Sequence, residues 1–167
     1  GVLRGFAISA LGSITYYVGI TYVPLYLTSI GRLDEAKALQ LATVAAVAVV
    51  IVTPFFGLLA DRWGRRPVLI GLALLSAALP YPLFRFLAGA AAGTTLAGAV
   101  LLAMLAGGIS AVGAVATAEQ LPVEGRLSGL ALGATIATAL FGGLTPWLAQ
   151  VLTQRTGSLT APGGMIA

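Results

Sequence analysis

The sequence predicts an all-α membrane protein, a bundle of transmembrane helices, on three observations. Of its 167 residues 59% are hydrophobic and 8% are charged, whereas a soluble domain carries about 25% charged residues. The mean hydropathy of +1.01 favours lipid as the surroundings. The charges separate five apolar runs of about 20 residues or more, the length that a helix needs to cross a bilayer. Membrane strands are about half as long and alternate in character, so only helices fit these runs.

Each predicted helix is bounded by charged or turn-forming residues. The five helices are expected at 6–30, 38–59, 67–87, 94–118 and 127–152. Short connections make successive helices antiparallel neighbours, so residues 1–167 form a single transmembrane domain. The chain begins with Gly1 rather than methionine and ends as a further apolar run could begin near Met165. We therefore expect a fragment of a longer chain.

The residues that are absent restrict the chemistry. The chain contains no cysteine and no histidine, which excludes disulfides, Ser–His–Asp and Cys–His catalysis, and metal sites built from those ligands. We predict no catalytic residues, no metal site and no enzymatic activity. The net charge is +4, but the few basic residues lie in short loops and predict membrane topology rather than nucleic-acid binding. The densest group, Arg62, Arg65 and Arg66, indicates the cytoplasmic side.

That basic group belongs to the connection between the second and third helices. Gly57 is expected to allow close helix contact, Gly64 permits a tight turn, and the arginines can bind carboxylates. The alternative is an ordinary positive-inside loop. The segment resembles the G-x-x-x-D-R-x-G-R-R signature of the major facilitator superfamily, and this implies a cytoplasmic gating motif. Its residues here are Gly57, Asp61, Arg62, Gly64, Arg65 and Arg66.

A second segment, from Glu119 to Gly129, follows the fourth helix. It resembles the E-x-F-P-x-x-x-R-x-x-G segment of sugar-porter-like members of that superfamily, with Leu121 in place of the usual Phe. The resemblance implies that Glu119 and Arg126 form ion pairs with Arg65 or Arg66 and latch the outward-facing state. The alternative is that these are solvated loop charges.

The resemblance covers essentially the whole chain. Tyr16-Tyr17 with the 21–27 segment, together with Phe141-Gly142-Gly143-Leu144-Thr145-Pro146, is similar to the metabolite–proton symporter branch. Proline/betaine, α-ketoglutarate, citrate and shikimate carriers belong to that branch. The predicted helices then correspond to the seventh to eleventh of twelve. The expected architecture is the C-terminal half of a major facilitator fold, with five complete helices and the start of a sixth.

The resemblance implies that the first and fourth helices line a substrate pathway. The first helix carries two polar stripes, one with Thr15, Gly19, Tyr22 and Tyr26, the other with Tyr17, Thr21, Pro24 and Thr28. A hydroxyl inside a membrane needs a partner, so at least one stripe faces protein or water. The alternative roles are hydrogen bonding between helices or interfacial anchoring. The pathway candidates are Tyr17, Thr21, Ser110 and Gly113.

The implied function is secondary active transport of a small polar metabolite, such as an organic acid, betaine or sugar, by alternating access. A proton symporter of the plasma membrane, the inner membrane in bacteria, is expected. No carboxylate lies in the middle of any apolar run. The titratable group for proton coupling is therefore expected in the missing N-terminal half. The expected partners are substrate, protons, the bilayer and that half; no cofactor or nucleic acid is expected. The alternatives are a drug or metabolite exporter of the same superfamily, or a non-transport membrane-embedded enzyme or subunit.

Overall fold

A computed structural model describes residues 2–29, 34–87, 92–120, 126–158 and 160–166. All regular elements in these ranges are helical, which confirms the predicted all-α class. Residues 30–33, 88–91 and 121–125, which include the end of the predicted first helix and much of the predicted connections, lie outside the described residues. The elements are α1 (Val2–Tyr16), π1 (Tyr17–Tyr22), α2 (Val23–Ser29), α3 (Glu35–Trp63), α4 (Arg65–Ala78), α5 (Pro80–Leu87), α6 (Ala92–Glu119), α7 (Arg126–Ala137), π2 (Thr138–Gly142), α8 (Gly143–Thr156) and α9 (Ala161–Ile166).

Four uninterrupted helical stretches of the described chain are long and apolar enough to cross a membrane. They are Leu3–Ser29, Glu35–Trp63, Gly93–Glu119 and Ser128–Thr156. The predicted third helix, 67–87, is instead divided into α4 of 14 residues and α5 of 8 residues. Pro80 has no N–H to donate, yet Leu79 N–H donates to Leu75 O and Leu83 N–H to Leu79 O. The helical hydrogen bonds therefore continue past a proline kink, rather than ending in a loop.

The centre of the bundle is α6, which packs against α1, α3, α4 and α5. Gly107 and Gly108 bring it close to α3. A Cβ atom on Gly107 would lie 2.8 Å from Val49 Cγ1, and one on Gly108 would lie 2.8 Å from Phe56 Cδ2. Small residues allow such close approach where lipid provides no hydrophobic drive between helices. Most of the rest of α3 is exposed apolar surface, as expected of a face against lipid.

A glycine seam joins α1 and π1 to α6. Gly5, Gly12 and Gly19 recur every seven residues. A Cβ on Gly5 would lie 2.9 Å from Thr117 Cγ2, and one on Gly19 would lie 3.2 Å from Leu102 O. The first span and α6 therefore run antiparallel, with the start of α1 beside the end of α6. We call this the basic end of the bundle, because Arg65 and Arg66 lie there too.

Two π-helical segments interrupt the first and last spans near their middles. They pack against each other's helices, and Gly142 of π2 faces the ring of Tyr17 of π1. A Cβ on Gly142 would lie 2.5 Å from Tyr17 Cε2, so only glycine leaves room for that ring. Single π-helical turns inside α-helices are frequent at functional sites.

The end opposite the basic end is held by a tyrosine network, which we define as Tyr22, Gln150 and Thr153. Tyr22 Oη donates to Gln150 Oε1 at 3.2 Å and lies 3.3 Å from Thr153 Oγ1. Beside it, the ring of Tyr26 meets Phe84 edge-on, with centroids 5.3 Å apart. Tyr22, Tyr26 and Phe84 are all fully buried. The stripe of the first span that includes Tyr22 and Tyr26 therefore faces the protein.

Candidate functional site

An ion-pair cluster lies at the basic end, and we define it as Asp61, Arg65 and Glu119. Arg65 Nη1 donates to Glu119 Oε1 at 2.6 Å, and Arg65 Nη2 donates to Asp61 Oδ1 at 3.3 Å. Gly64 separates α3 from α4 with a φ of 90°, a conformation that favours glycine. This turn places Arg65 at the start of α4, between the last turn of α3 and the last residue of α6.

The cluster is wet. The side chains of Arg65, Asp61 and Glu119 are 28%, 65% and 53% exposed. Ion pairs with this exposure stabilise proteins by about 0–1 kcal/mol, because water and salt screen them. Such pairs can form and separate at little cost, which suits a contact that changes during a conformational cycle.

The other residues of the predicted gating motif are not drawn into this cluster. Among the described residues, no atom lies within 4 Å of a Cβ on Gly57, so the close contact expected there is not made with them. Arg62 and Arg66 are exposed, and neither forms an ion pair within the described part of the chain. Arg126 begins α7, and its side chain lies outside what the structure describes. Of the two arginines left open by the sequence, Arg65 is the one that contacts Glu119.

Arg66 instead lines a groove of about 590 Å³ between α1, α4 and α6, which we call the basic groove. Arg4 and Arg65 line the same groove. The groove is also lined by apolar residues, among them Leu11, Leu69 and Ile109. The sequence analysis did not single out Arg4, because a lone arginine before an apolar run gives no sign of its neighbours.

A polar cavity of about 480 Å³ lies on the other side of the α1–α6 pair, against α7 and π2. Three of the predicted pathway residues, Tyr17, Ser110 and Gly113, line it. Thr21 does not; it is exposed further along the first span. The described lining carries no charged side chain, and its polar groups are hydroxyls, on Ser9, Ser13, Tyr16, Tyr17, Ser110, Thr117 and Thr138.

The hydroxyls of this cavity differ in their partners. Ser13 Oγ and Thr138 Oγ1 are hydrogen-bonded to each other at 3.1 Å, across the contact between α1 and π2. Thr117 Oγ1 is buried and has no hydrogen-bond partner among the residues that the structure describes. The Ser13–Thr138 pair was missed by the sequence analysis, because the two residues are 125 positions apart and only the packing of the spans brings them together.

Long apolar helices packed through glycine define an integral membrane protein, which in bacteria lies in the inner membrane. The chain belongs to the Major Facilitator Superfamily, whose family model matches residues 4–166. This places the helix bundle, the ion-pair cluster and the polar cavity within one family domain.

Curated relatives cover nearly the whole chain. A citrate-proton symporter of Klebsiella pneumoniae is 31% identical over 97% of this chain and 37% of its own length. An ectoine/proline transporter of Corynebacterium glutamicum is 31% identical over 93% and 31%. A proline/betaine transporter of Escherichia coli K12 is 33% identical over 90% and 30%. The chain thus spans about a third of the length of these relatives. No solved structure is significantly similar to it.

Proposed function

We propose that this chain is the C-terminal half of a secondary active transporter, which moves a small polar metabolite together with protons by alternating access. The observation that carries the proposal is the ion-pair cluster, which ties the α3–α4 turn to the end of α6. The relatives named as a citrate-proton symporter and proline/betaine transporters support it. The basic end is then the cytoplasmic end, in keeping with the positive-inside rule.

The proposed mechanism is a rocking of this half against an N-terminal half. The ion-pair cluster is intact in one state of the cycle and opens in another. The polar cavity, near the middle of the first span, provides this half's share of the substrate site. Asp61 and Glu119 lie at helix ends, and no carboxylate lies in the middle of any span. The group that binds the coupled proton is therefore expected in the other half.

Export by a transporter of the same superfamily is the second candidate, because the basic motif serves both directions. A membrane-embedded enzyme or assembly subunit is the third. Such an enzyme would need reactive groups at membrane depth, and the polar cavity offers hydroxyls alone among its described lining residues. Transport measured in both directions distinguishes import from export. Absence of transport in either direction favours the third candidate.

The test uses the full-length protein that contains this chain, reconstituted in proteoliposomes with an imposed pH gradient. Wild-type protein should accumulate a solute from a panel of organic acids, betaines and sugars when the outside is acidic. Glu119→Gln should lower the rate about two- to fivefold, because the contact with Arg65 loses its charge and such a pair is worth no more than about 1 kcal/mol. Glu35→Gln, a matched carboxylate at the opposite end of the bundle, should leave the rate unchanged.

Accumulation that ignores the pH gradient would contradict proton coupling. Transport outwards only would favour the exporter. If no solute of the panel moves in either direction, the transport proposal itself is wrong. Equal rates for Glu119→Gln and wild type would remove the gating role from the ion-pair cluster and leave transport standing.

A further inference from the structure

We propose that the polar cavity binds a zwitterion with a methylated or ring ammonium group, and not a multiply charged organic acid. This deepens the proposed transport function and rests on it. The relatives' names divide between citrate and proline or betaine at nearly equal identity. They therefore leave the substrate class open, and the residues that line the cavity must decide it.

The first observation is charge. The described lining of the polar cavity carries hydroxyls and apolar groups and no charged side chain. Arg4, Arg65 and Arg66 lie at the basic groove, on the other side of α1 and α6. Bringing an isolated anion to membrane depth without a cationic partner costs several kcal/mol. A zwitterion brings no net charge, and its two ends can be satisfied separately by neutral groups.

The second observation is a pair of aromatic rings. Tyr16 and Tyr17 both line the cavity, and their ring centroids are 5.8 Å apart with planes inclined by 68°. The face of a tyrosine ring attracts an ammonium group that retains little water, so two rings beside one cavity can take up such a group. Gly142 leaves room for the ring of Tyr17, and a Cβ there would meet it. The ring of Tyr17 therefore packs against π2 while it lines the cavity.

The third observation is a hydroxyl pair one helical turn from the rings. Ser13 lies three residues before Tyr16 and four before Tyr17, so it is one helical turn away, about 5–6 Å between Cβ atoms. It is hydrogen-bonded to Thr138 at 3.1 Å, and either hydroxyl can turn to donate to a carboxylate. In glycine betaine a single carbon atom joins the ammonium to the carboxylate, so a small ligand between the rings and the hydroxyl pair can contact both. The tyrosine rings would take the cation, and the Ser13–Thr138 pair the carboxylate.

The test compares two ligands of the same shape on the full-length protein in proteoliposomes. Glycine betaine carries a trimethylammonium group. 3,3-Dimethylbutyrate replaces that group with a neutral tert-butyl group and keeps the carboxylate. We expect glycine betaine to bind at least about tenfold more tightly than 3,3-dimethylbutyrate, the scale of a desolvated cation–π contact. Citrate should not displace radiolabelled glycine betaine.

Substitutions of Tyr16 test whether glycine betaine binds at the polar cavity. Tyr16→Leu removes a ring face and should weaken glycine betaine binding about tenfold, while Tyr16→Phe keeps the face and should lose less. Tyr81→Leu changes an exposed tyrosine of α5, away from the cavity, and should bind like wild type. The wild-type ligand comparison needs no variant, so it remains decisive if Tyr16→Leu does not fold.

Equal binding of glycine betaine and 3,3-dimethylbutyrate would overturn the proposal. So would displacement of radiolabelled glycine betaine by citrate, or no glycine betaine binding at all. Transport of an organic acid alone would reject this substrate class and leave the proposed function standing. Absence of transport of every solute would instead reject the proposed function.

Discussion

The ion-pair cluster joins α3 and α4 to α6 at the basic end, whereas the tyrosine network joins the first span to the last at the opposite end. The two connections are of opposite kinds. At the basic end, the side chains of Asp61 and Glu119 are 65% and 53% exposed. At the other end, Tyr22 is completely buried and Thr153 is 5% exposed. One connection is charged and exposed to solvent; the other is neutral, with Tyr22 and Thr153 buried and Gln150 partly exposed.

This difference determines which end can move. At the basic end, water hydrates the charged side chains once they separate, so breaking the cluster costs about 0–1 kcal/mol. At the opposite end, a separated hydroxyl finds no water, and the rings around it lose their packing. Within the proposed transporter, the contacts of the ion-pair cluster can then open and re-form during the cycle, while the tyrosine network stays formed inside this half. We therefore expect substitutions at the two ends to change different measured quantities.

The largest effect on stability is expected for Tyr26→Ala. Tyr26 is fully buried and packs on Phe84, and truncation of a buried aromatic residue costs about 3–5 kcal/mol. Unfolding of the full-length protein by sodium dodecyl sulfate in mixed micelles gives this free energy. Tyr81→Ala is the control, because Tyr81 is 53% exposed on α5. Similar losses for the two variants would mean that the end opposite the basic end is not the fixed one.

A smaller effect is expected for Tyr22→Phe, which keeps the ring and removes the hydroxyl. It breaks the contacts with Gln150 and Thr153, and hydrogen bonds between membrane helices are worth about 0.6 kcal/mol on average and about 1.7 at most. A double-mutant cycle of Tyr22→Phe with Thr153→Val measures the coupling directly. No change in the free energy of unfolding for Tyr22→Phe would show that the network does not hold this end.

The fold was predicted where bilayer thickness leaves little choice. The number of apolar residues between charges predicted the all-α bundle, because a helix must satisfy its own backbone in lipid. The kink at Leu79–Pro80 and the π-helical segments Tyr17–Tyr22 and Thr138–Gly142 were not predicted. A π-helical turn adds one residue to a turn without a change in composition, so nothing in an evenly apolar run marks it.

The candidate site was predicted where its residues are close in sequence. Asp61 and Arg65 are four residues apart, and the family motif pointed to both. The choice of Arg65 over Arg66 as the partner of Glu119 depends on the direction in which the chain leaves Gly64. The Ser13–Thr138 pair depends on how two distant spans pack. Packing also turns the stripe with Tyr22 inwards and leaves Thr21 exposed. A helix with polar residues on two opposite stripes does not reveal which of them faces the protein.

The smallest effect on stability is expected at the ion-pair cluster, and its salt dependence sharpens the comparison. The coupling between Arg65→Ala and Glu119→Ala should be below about 1 kcal/mol. It should decline as salt rises from 0.1 M to 1 M, because the Debye length falls from about 10 Å to about 3 Å. Arg62→Ala with Glu119→Ala is the matched control, since Arg62 forms no ion pair within the described residues.

The coupling free energy between Tyr22 and Thr153 should not depend on salt concentration, because neither residue is charged and both are buried. The salt dependence of the two couplings thus distinguishes the ends of the bundle, which the total free energy of unfolding does not. If the Arg65–Glu119 coupling is large and indifferent to salt, the basic end is as dry as the other. It could not then open at low cost, and the proposed gating role of the ion-pair cluster would be wrong.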